Sequence, residues 1–200
     1  KKTLCILSML AILFCALCSK QESAPAKSQF HPKISAHTTG QISCLAPIRI
    51  VFTDQIIQAE QFGAAIEPSP FSFKPKIKGV AVWANDRTVE FRPAERLPQA
   101  QQFEAKFDLR DIMIVEKGQE EFALAFATVK QSIELRLDGL SYDGKDLSRQ
   151  RLTGAIELAD EQDLSDVENI LSAKKNGKTF TIRWLEQQDN RKFRFAVTGI

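Results

Sequence analysis

Residues 71–107 read FSFKPKIKGVAVWANDRTVEFRPAERLPQAQQFEAKF, and this stretch decides the fold. Its apolar residues recur at every second position, which is typical of a half-buried β-strand. Asn85-Asp86 forms a turn signal, and prolines at positions 93 and 98 mark places where strand pairing stops, because proline has no amide donor. The stretch therefore predicts a β-meander forming one sheet of a sandwich, with alternating positions at Val80, Val82, Ala84, Val89, Phe91, Phe103, Ala105 and Phe107.

The same alternation extends on both sides of this stretch. Residues 41–129 hold about seven short strand patterns with turns at sandwich-like spacing. Residues 130–200 continue with Ile133, Leu135 and Leu137, a polar loop from Ser141 to Gln150, and one helix signal at Ser165, where a capping box with Glu168 is expected. The predicted fold class is all-β, with two tandem antiparallel β-sandwich domains of the Ig-like or macroglobulin type. The second domain is expected to contain one short helix.

The N-terminal residues indicate export. Lys1 and Lys2 precede an apolar run from Leu4 to Leu17, which is too short for a bilayer span of about 20 residues but suits a secretory signal helix. Ala16-Leu17-Cys18-Ser19 resembles the junction of a bacterial lipoprotein signal, so residues 1–18 are predicted to be a lipoprotein signal segment with Cys18 as the lipidation site. Plain secretion and an uncleaved anchor remain alternatives. Residues 19–40 are predicted to be a flexible polar tether.

Cysteine and histidine are sparse in the predicted mature chain. Cys5 and Cys15 would leave with the signal, and Cys18 would be acylated, so Cys44 cannot form an intramolecular disulfide. Cys44 is expected to be a small apolar residue at the start of a strand. No Cys, Asp or Glu lies near His31 and His37 in the sequence, so the two histidines are not predicted to bind a metal. Both are interpreted as exposed residues of the tether.

The charge balance argues against nucleic acid as a partner. The chain has 27 basic and 25 acidic residues, and removal of Lys1 and Lys2 would make the two numbers equal. A phosphate backbone requires a clustered basic face, which the sequence does not show.

Signals of catalysis are weak. The sequence lacks a glycine-rich phosphate loop, a Gly-x-Ser-x-Gly elbow, a His-Glu-x-x-His pair and paired CxxC motifs, and we predict no catalytic residue, cofactor or metal site. An enzyme would have to use acidic groups, and the candidates are Asp108, Asp111, Asp143, Asp146, Asp160, Glu161 and Asp163. Trp83 and Trp184 could belong to a binding surface, but both sit in alternating strand patterns and are expected to be core or half-buried.

Several stretches resemble the N-terminal region of the large bacterial alpha-2-macroglobulin-like lipoproteins of the Bacteroides type. They are SCLAPIRIVFT at 43–53, FSFKPKIKGVAVWANDRTVEFRP at 71–93, Leu97-Pro98, TVKQSIELRLDGL at 128–140, and DLSRQRLTG at 146–154. The likeness covers about residues 40–200, and its first domain is also similar to bacterial Ig-like modules.

The resemblance implies a protease trap of the cell envelope that is built from successive macroglobulin-type sandwiches. Its bait region and thioester would lie downstream, and Cys44 is followed by Leu45-Ala46-Pro47 instead of a thioester motif. The expected partners are proteases, bound through those downstream regions, and a membrane, contacted through the lipid anchor on its periplasmic or cell-surface side. The alternative is a surface adhesin or glycan-binding lipoprotein, which would need an exposed aromatic platform.

Overall fold

The computed structural model describes residues 30–143, 146–185 and 189–200, without the side chains of residues 143–147. The predicted signal segment, Cys18 and residues 19–29 of the predicted tether lie outside these ranges.

Fourteen strands and one short α-helix make up the described chain. The strands of the first part, residues 34–128, are β1 Ile34–His37, β2 Gly40–Ile42, β3 Ile48–Phe52, β4 Phe71–Lys74, β5 Gly79–Asn85, β6 Thr88–Pro93, β7 Gln102–Asp108 and β8 Glu121–Thr128, with a 3-10 turn at Ala59–Gln61. The second part contains β9 Ile133–Asp143, β10 Asp146–Leu158, α1 Leu164–Glu168, β11 Ala173–Lys175, β12 Lys178–Phe180, β13 Ile182–Trp184 and β14 Lys192–Thr198.

Two four-stranded sheets form the first part, which we call the first unit. Their strand orders are β1-β3-β6-β5 and β2-β8-β7-β4. The pairings are antiparallel except between β2 and β8, which run parallel. Phenylalanines from both sheets fill a shared core, and the fully buried ones are Phe52, Phe107, Phe122 and Phe126. The all-β fold class is therefore confirmed.

The structure corrects the prediction that residues 71–107 form one sheet. β4 pairs with β7 in one sheet, whereas β5 pairs with β6 in the other, so the chain changes sheets before β5 and again after β6. The core face of β5 carries Ala81 and Trp83, while Val80 is 53% exposed. Alternation with a period of two identifies a strand, but it does not identify the neighbouring strand with which that strand pairs.

The N-terminal edge of the first unit also differs from the prediction. β1 lies inside the range interpreted as tether, and it pairs antiparallel with β3. His31 is 6% exposed, its Nε2 lies 3.1 Å from the carbonyl oxygen of Gln119, and its ring meets Phe122 edge-on. The ring of His37 lies 5.0 Å from the Phe122 ring. The histidines are thus packed parts of the first unit, because an aromatic neighbour distant in sequence covers them.

A single four-stranded sheet, ordered β13-β14-β10-β9, supports the second part, which we call the second unit. The β11–β12 hairpin and α1 pack beside it, and the separate core includes Ile156, Val167, Phe193 and Val197. The predicted polar loop at Ser141–Gln150 is largely strand, since β9 and β10 form one long hairpin. The helix is present, but its N-cap is Asp163, and Ser165 lies within the helix.

None of the helices among the described residues has the length and apolar character needed to cross a membrane.

Candidate functional site: the junction and the apolar groove

The two hydrophobic cores are separate, and a polar junction centred on Asp160 connects the units that contain them. Strand β10 ends at Leu158, and Asp160 lies two residues later, where the chain turns. Its side chain is only 3% exposed. A carboxylate in such a place requires partners, since an unpaired buried charge is costly.

The first unit supplies most of the partners of the Asp160 carboxylate. Oδ2 accepts a hydrogen bond from the backbone N–H of Cys44 at 2.8 Å, and the hydroxyl of Ser43 donates a further one. Ser43 and Cys44 lie in the turn between β2 and β3, so residues 116 positions apart in sequence meet here.

Arg96 provides the opposite charge. Its Nη1 lies 3.6 Å from Asp160 Oδ2, and its Nη2 donates to the carbonyl oxygen of Glu161 at 2.7 Å. The Arg96 side chain is 32% exposed, so water reaches one side of this ion pair. One guanidinium thus binds both the side chain of Asp160 and the backbone of the next residue.

Gln131, in the link between the units, completes the junction. Its Oε1 accepts the backbone N–H of Asp160 at 3.0 Å, and its Nε2 donates to the Asp160 carbonyl oxygen, also at 3.0 Å. The amide therefore pairs with both backbone groups of a single residue. This arrangement fixes the start of the second unit against its own strand end.

The pKa of Asp160 reflects this environment. Burial alone would raise the pKa, but hydrogen bonds from the Ser43 hydroxyl, the Cys44 backbone and thiol, and the Glu161 backbone hold it below the ordinary value. Asp160 is therefore ionised at neutral pH, and its negative charge is part of the folded structure.

Cys44 is fully buried beside this carboxylate. Burial raises the pKa of the Cys44 thiol, and its hydrogen bond and charge interaction with Asp160 raise it further. A thiol that resists ionisation is a poor nucleophile and a poor metal ligand. The sequence prediction of a small packed residue is confirmed.

The second candidate site is an open apolar groove on the sheet of the second unit. It has a volume of about 460 Å³ and lies between the β11–β12 hairpin and the side chains of β9. Apolar residues dominate its lining, and the main ones are Leu135, Leu137, Leu140, Leu152, Phe180, Ile182 and Phe195. Lys174 and Lys175 are the charged residues of its described lining.

Five large apolar residues of β9 remain half-exposed along this side of the second unit. Their exposed fractions are 55% for Ile133, 50% for Leu135, 55% for Leu137, 59% for Leu140 and 56% for Tyr142. Soluble proteins seldom leave such residues contiguous on a surface unless another molecule or segment covers them. The groove and the β9 residues beside it therefore form an exposed apolar surface in the described structure.

The predicted acidic candidates do not assemble in the described structure. Asp160 is in the junction, Asp108 pairs with Arg110 at the end of β7, and Asp111, Glu161 and Asp163 are exposed. The side chains of Asp143 and Asp146 lie outside the described part. Within that part, no group of three His, Cys, Asp or Glu residues is close enough to hold a metal ion.

The two tryptophans pack against core residues. Trp83 is 8% exposed, with its ring 6.3 Å from that of Phe52, and Trp184 is half-buried with its ring 6.0 Å from that of Phe195. The expectation of core or half-buried packing is confirmed for both. They do not form the exposed aromatic platform that a glycan-binding surface would use.

The sequence patterns predicted neither the Asp160 junction nor the apolar groove. Asp160 appeared only as one of several acidic residues, and Arg96 had no visible role. The signal that could have indicated the groove was the run Ile133, Leu135, Leu137, whose alternation continues through Leu140 and Tyr142 after a one-residue shift at Gly139.

The fold and these sites define an all-β protein with two sheet-based units joined by a buried carboxylate. No protein-family model and no curated protein sequence matches the chain. Among solved structures, it is similar to L,D-transpeptidase 3 from Mycobacterium tuberculosis, with 11% identity, a TM-score of 0.34, and 78% of this chain covering 59% of that one. A second L,D-transpeptidase, from Mycobacterium tuberculosis H37Rv, gives 11% identity, a TM-score of 0.34, and coverages of 79% and 61%. The chain thus spans less than two thirds of these proteins, and superpositions this loose carry no argument about activity.

Proposed function

We propose that this chain is the N-terminal scaffold and membrane-tether region of a bacterial alpha-2-macroglobulin-like protease inhibitor. Cys18 would carry the lipid, and the two β units would hold the trapping regions away from the membrane in the cell envelope. The proposal rests on the resemblance of residues 43–53, 71–93, 97–98, 128–140 and 146–154 to that family.

The observation that favours a scaffold role is the junction at Asp160. A spacer must transmit position from one unit to the next, and the Asp160 carboxylate is bound by Cys44 and Arg96 of the first unit while it belongs to the second.

The alternative role, a surface adhesin or glycan-binding module, has less support. Glycan platforms rely on exposed aromatic rings, whereas Trp83 is buried and Trp184 is half-buried.

The test compares the full-length gene product with the 200-residue chain. Each is incubated with an endopeptidase, and residual activity is measured on a large protein substrate and on a small chromogenic peptide. A trap encloses the protease, so we expect the full-length product to block cleavage of the large substrate and to spare the small one. The 200-residue chain should inhibit neither, because the bait region would lie outside it.

Two results would contradict the proposal. One is a full-length product that leaves both cleavages unchanged, and the other is inhibition by the 200-residue chain alone. A heat-denatured sample of the full-length product serves as the control for simple substrate competition.

A further inference from the structure

Strand β9 forms one outer edge of the described sheet of the second unit. It is 11 residues long and pairs with β10 on one side, and none of the described strands pairs with its other side. A long, apolar edge strand is a template for pairing with another strand, and proteins protect such edges or use them.

The backbone of β9 presents its hydrogen-bonding groups outward at alternate residues. Ala159 donates to the carbonyl oxygen of Ser132 at 3.1 Å, and the same antiparallel register pairs Glu134 with Glu157 and Arg136 with Ala155. Before the register shift at Gly139, Glu134 and Arg136 therefore bond to β10, because hydrogen-bonded pairs alternate along an antiparallel ladder. The N–H and C=O groups of Ile133, Leu135 and Leu137 point to the outer edge.

Side chains on β9 divide by face. Ile133, Leu135 and Leu137 are on the groove side, whereas Glu134, Arg136 and Asp138 are on the opposite side. Asp138 lies 3.6 Å from Arg136 and 3.8 Å from Arg194. The charged face thus carries alternating signs along the strand.

This charge order decides how β9 could pair with a second copy of itself. An antiparallel pair centred on Glu134 places two glutamates opposite each other, and one centred on Arg136 does the same with two arginines. A pair centred on Leu135 instead places Glu134 opposite Arg136 of the second copy, twice by symmetry. Opposite charges across a strand pair stabilise it and like charges destabilise it.

A pair centred on Leu137 would also match charges, since Arg136 would face Asp138 of the second copy. It would, however, place Leu135 opposite Gly139, where the β9–β10 ladder shifts register and the backbone adopts a φ of 125°. The regular part of β9 therefore favours the pair centred on Leu135.

We infer that this protein forms a twofold-symmetric dimer in which β9 pairs antiparallel with β9 of a second copy, centred on Leu135. In this pair, Leu135 exchanges both backbone hydrogen bonds with Leu135 of the second copy. Ile133 lies beside Leu137 of the second copy on the groove side. The dimer joins two four-stranded sheets into one and brings the two grooves to the same face.

The experiment measures self-association by sedimentation velocity over a wide range of concentrations. The chain is used from residue 19 onward, so that neither the apolar run from Leu4 to Leu17 nor acylation of Cys18 can cause association. We expect a dimer that dissociates on dilution. Glu134→Arg alone and Arg136→Glu alone should each weaken it by about tenfold or more, since each turns two attractive pairs into repulsive ones.

Two combinations make the test specific to register. The double variant Glu134→Arg/Arg136→Glu should restore the dimer, and an equimolar mixture of the two single variants should form heterodimers. Lys106→Glu is the matched control, because it breaks the 2.9 Å pair with Glu121 between two strands of the first unit and should leave the affinity unchanged.

The inference is overturned by a monomer at every concentration, as would occur if another segment of the polypeptide covers β9. It is also overturned by a dimer that the single variants leave unchanged, or by single variants that neither the exchange nor the mixture rescues. None of these results bears on protease trapping, which is measured separately.

Discussion

Asp160 joins the two units through one carboxylate, and its contribution depends on its being ionised. Arg96, Ser43 and the Cys44 backbone all favour the charged form, and they belong to the other unit. Removing the carboxylate would leave the Cys44 N–H without its acceptor and the Arg96 guanidinium without its counter-ion. This single residue therefore links the stability of both units.

We predict that Asp160→Ala lowers the free energy of unfolding by about 3 kcal/mol at pH 7, as for other broken buried pairs. Because the folded pKa of Asp160 lies below its ordinary value of 3.8, this stability is present above the unfolded pKa and is lost as the pH falls through the folded pKa. Urea denaturation at pH 7 and near pH 3 should show the difference between variant and wild type shrinking in acid.

Asp54→Ala is the control for this measurement. Asp54 pairs with Lys33 at 3.2 Å, but its side chain is 65% exposed, so its loss should change stability by less than about 1 kcal/mol. A full-sized effect of Asp160→Ala that persists unchanged in acid would contradict the role assigned to the charge.

At this scale, the sequence could indicate which residues are buried in strands but not their long-range polar partners. Phe103, Ala105 and Phe107 of β7 are buried and alternate with exposed residues, as the period of two predicts. In β6, Val89 and Phe91 are buried as expected, but Thr88 beside them and Glu90 between them are buried as well. Asp160 and Cys44 are 116 residues apart, and a local sequence pattern cannot indicate a hydrogen bond between residues so distant in the chain. His31 and His37 were misinterpreted for the same reason, since Phe122 comes much later in the chain.

Among the elements, strands β9, β10 and β14 of the second unit pack closely at one position of β10, and this position is a glycine. Gly154 lies on the central strand β10, opposite Leu137 of β9 and Phe195 of β14. A Cβ atom there would lie 2.5 Å from the carbonyl oxygen of Arg136 and 2.8 Å from the Phe195 ring. Backbone on one side and a buried ring on the other leave little room to adjust.

Gly154→Ala should therefore destabilise the protein by about 1–3 kcal/mol, as overpacking does, despite the better strand propensity of alanine. Thermal unfolding followed by circular dichroism gives the measurement. Thr153→Ala, at the neighbouring half-buried position of the same strand, is the matched control and should have a smaller effect. Equal melting temperatures for Gly154→Ala and wild type would show that β9 can move away freely.

The elements also show where sequence patterns stop being informative. The strands of residues 71–107 were predictable as strands, but their division between two sheets was not, because alternation does not identify a pairing partner. The β9–β10 hairpin extends through residues that read as a polar loop, since an exposed antiparallel pair tolerates polar side chains on both faces. The helix was predictable, and its N-cap was displaced by two residues to Asp163.

For the molecule as a whole, the junction predicts restricted motion between the units. The described contacts that cross between the units include the Asp160–Arg96 pair, the Cys44 N–H bond to Asp160 and the Arg96 bond to the Glu161 carbonyl oxygen, all within a small region. Interfaces between domains are usually mobile unless such contacts restrain them. A spacer function requires this restraint.

Small-angle X-ray scattering should detect the loss of this restraint between the two units. We expect Asp160→Ala/Arg96→Ala to increase the radius of gyration and the scattering signature of flexibility, while far-UV circular dichroism stays unchanged because both cores remain intact. Arg110→Ala removes an ion pair at the end of β7, away from the junction, and should change neither property. Unchanged scattering for the double variant would mean that other contacts hold the units together.

The burial of Cys44 has a consequence for studying this molecule. It is the one cysteine of the described residues, and its thiol is enclosed beside the carboxylate that joins the units. A small alkylating reagent can reach that sulfur only when the surrounding structure opens, so the rate of modification counts opening events in the native protein. Because Cys44 belongs to the core of the first unit and also adjoins the Asp160 carboxylate, its alkylation rate reports openings that expose this core at the junction.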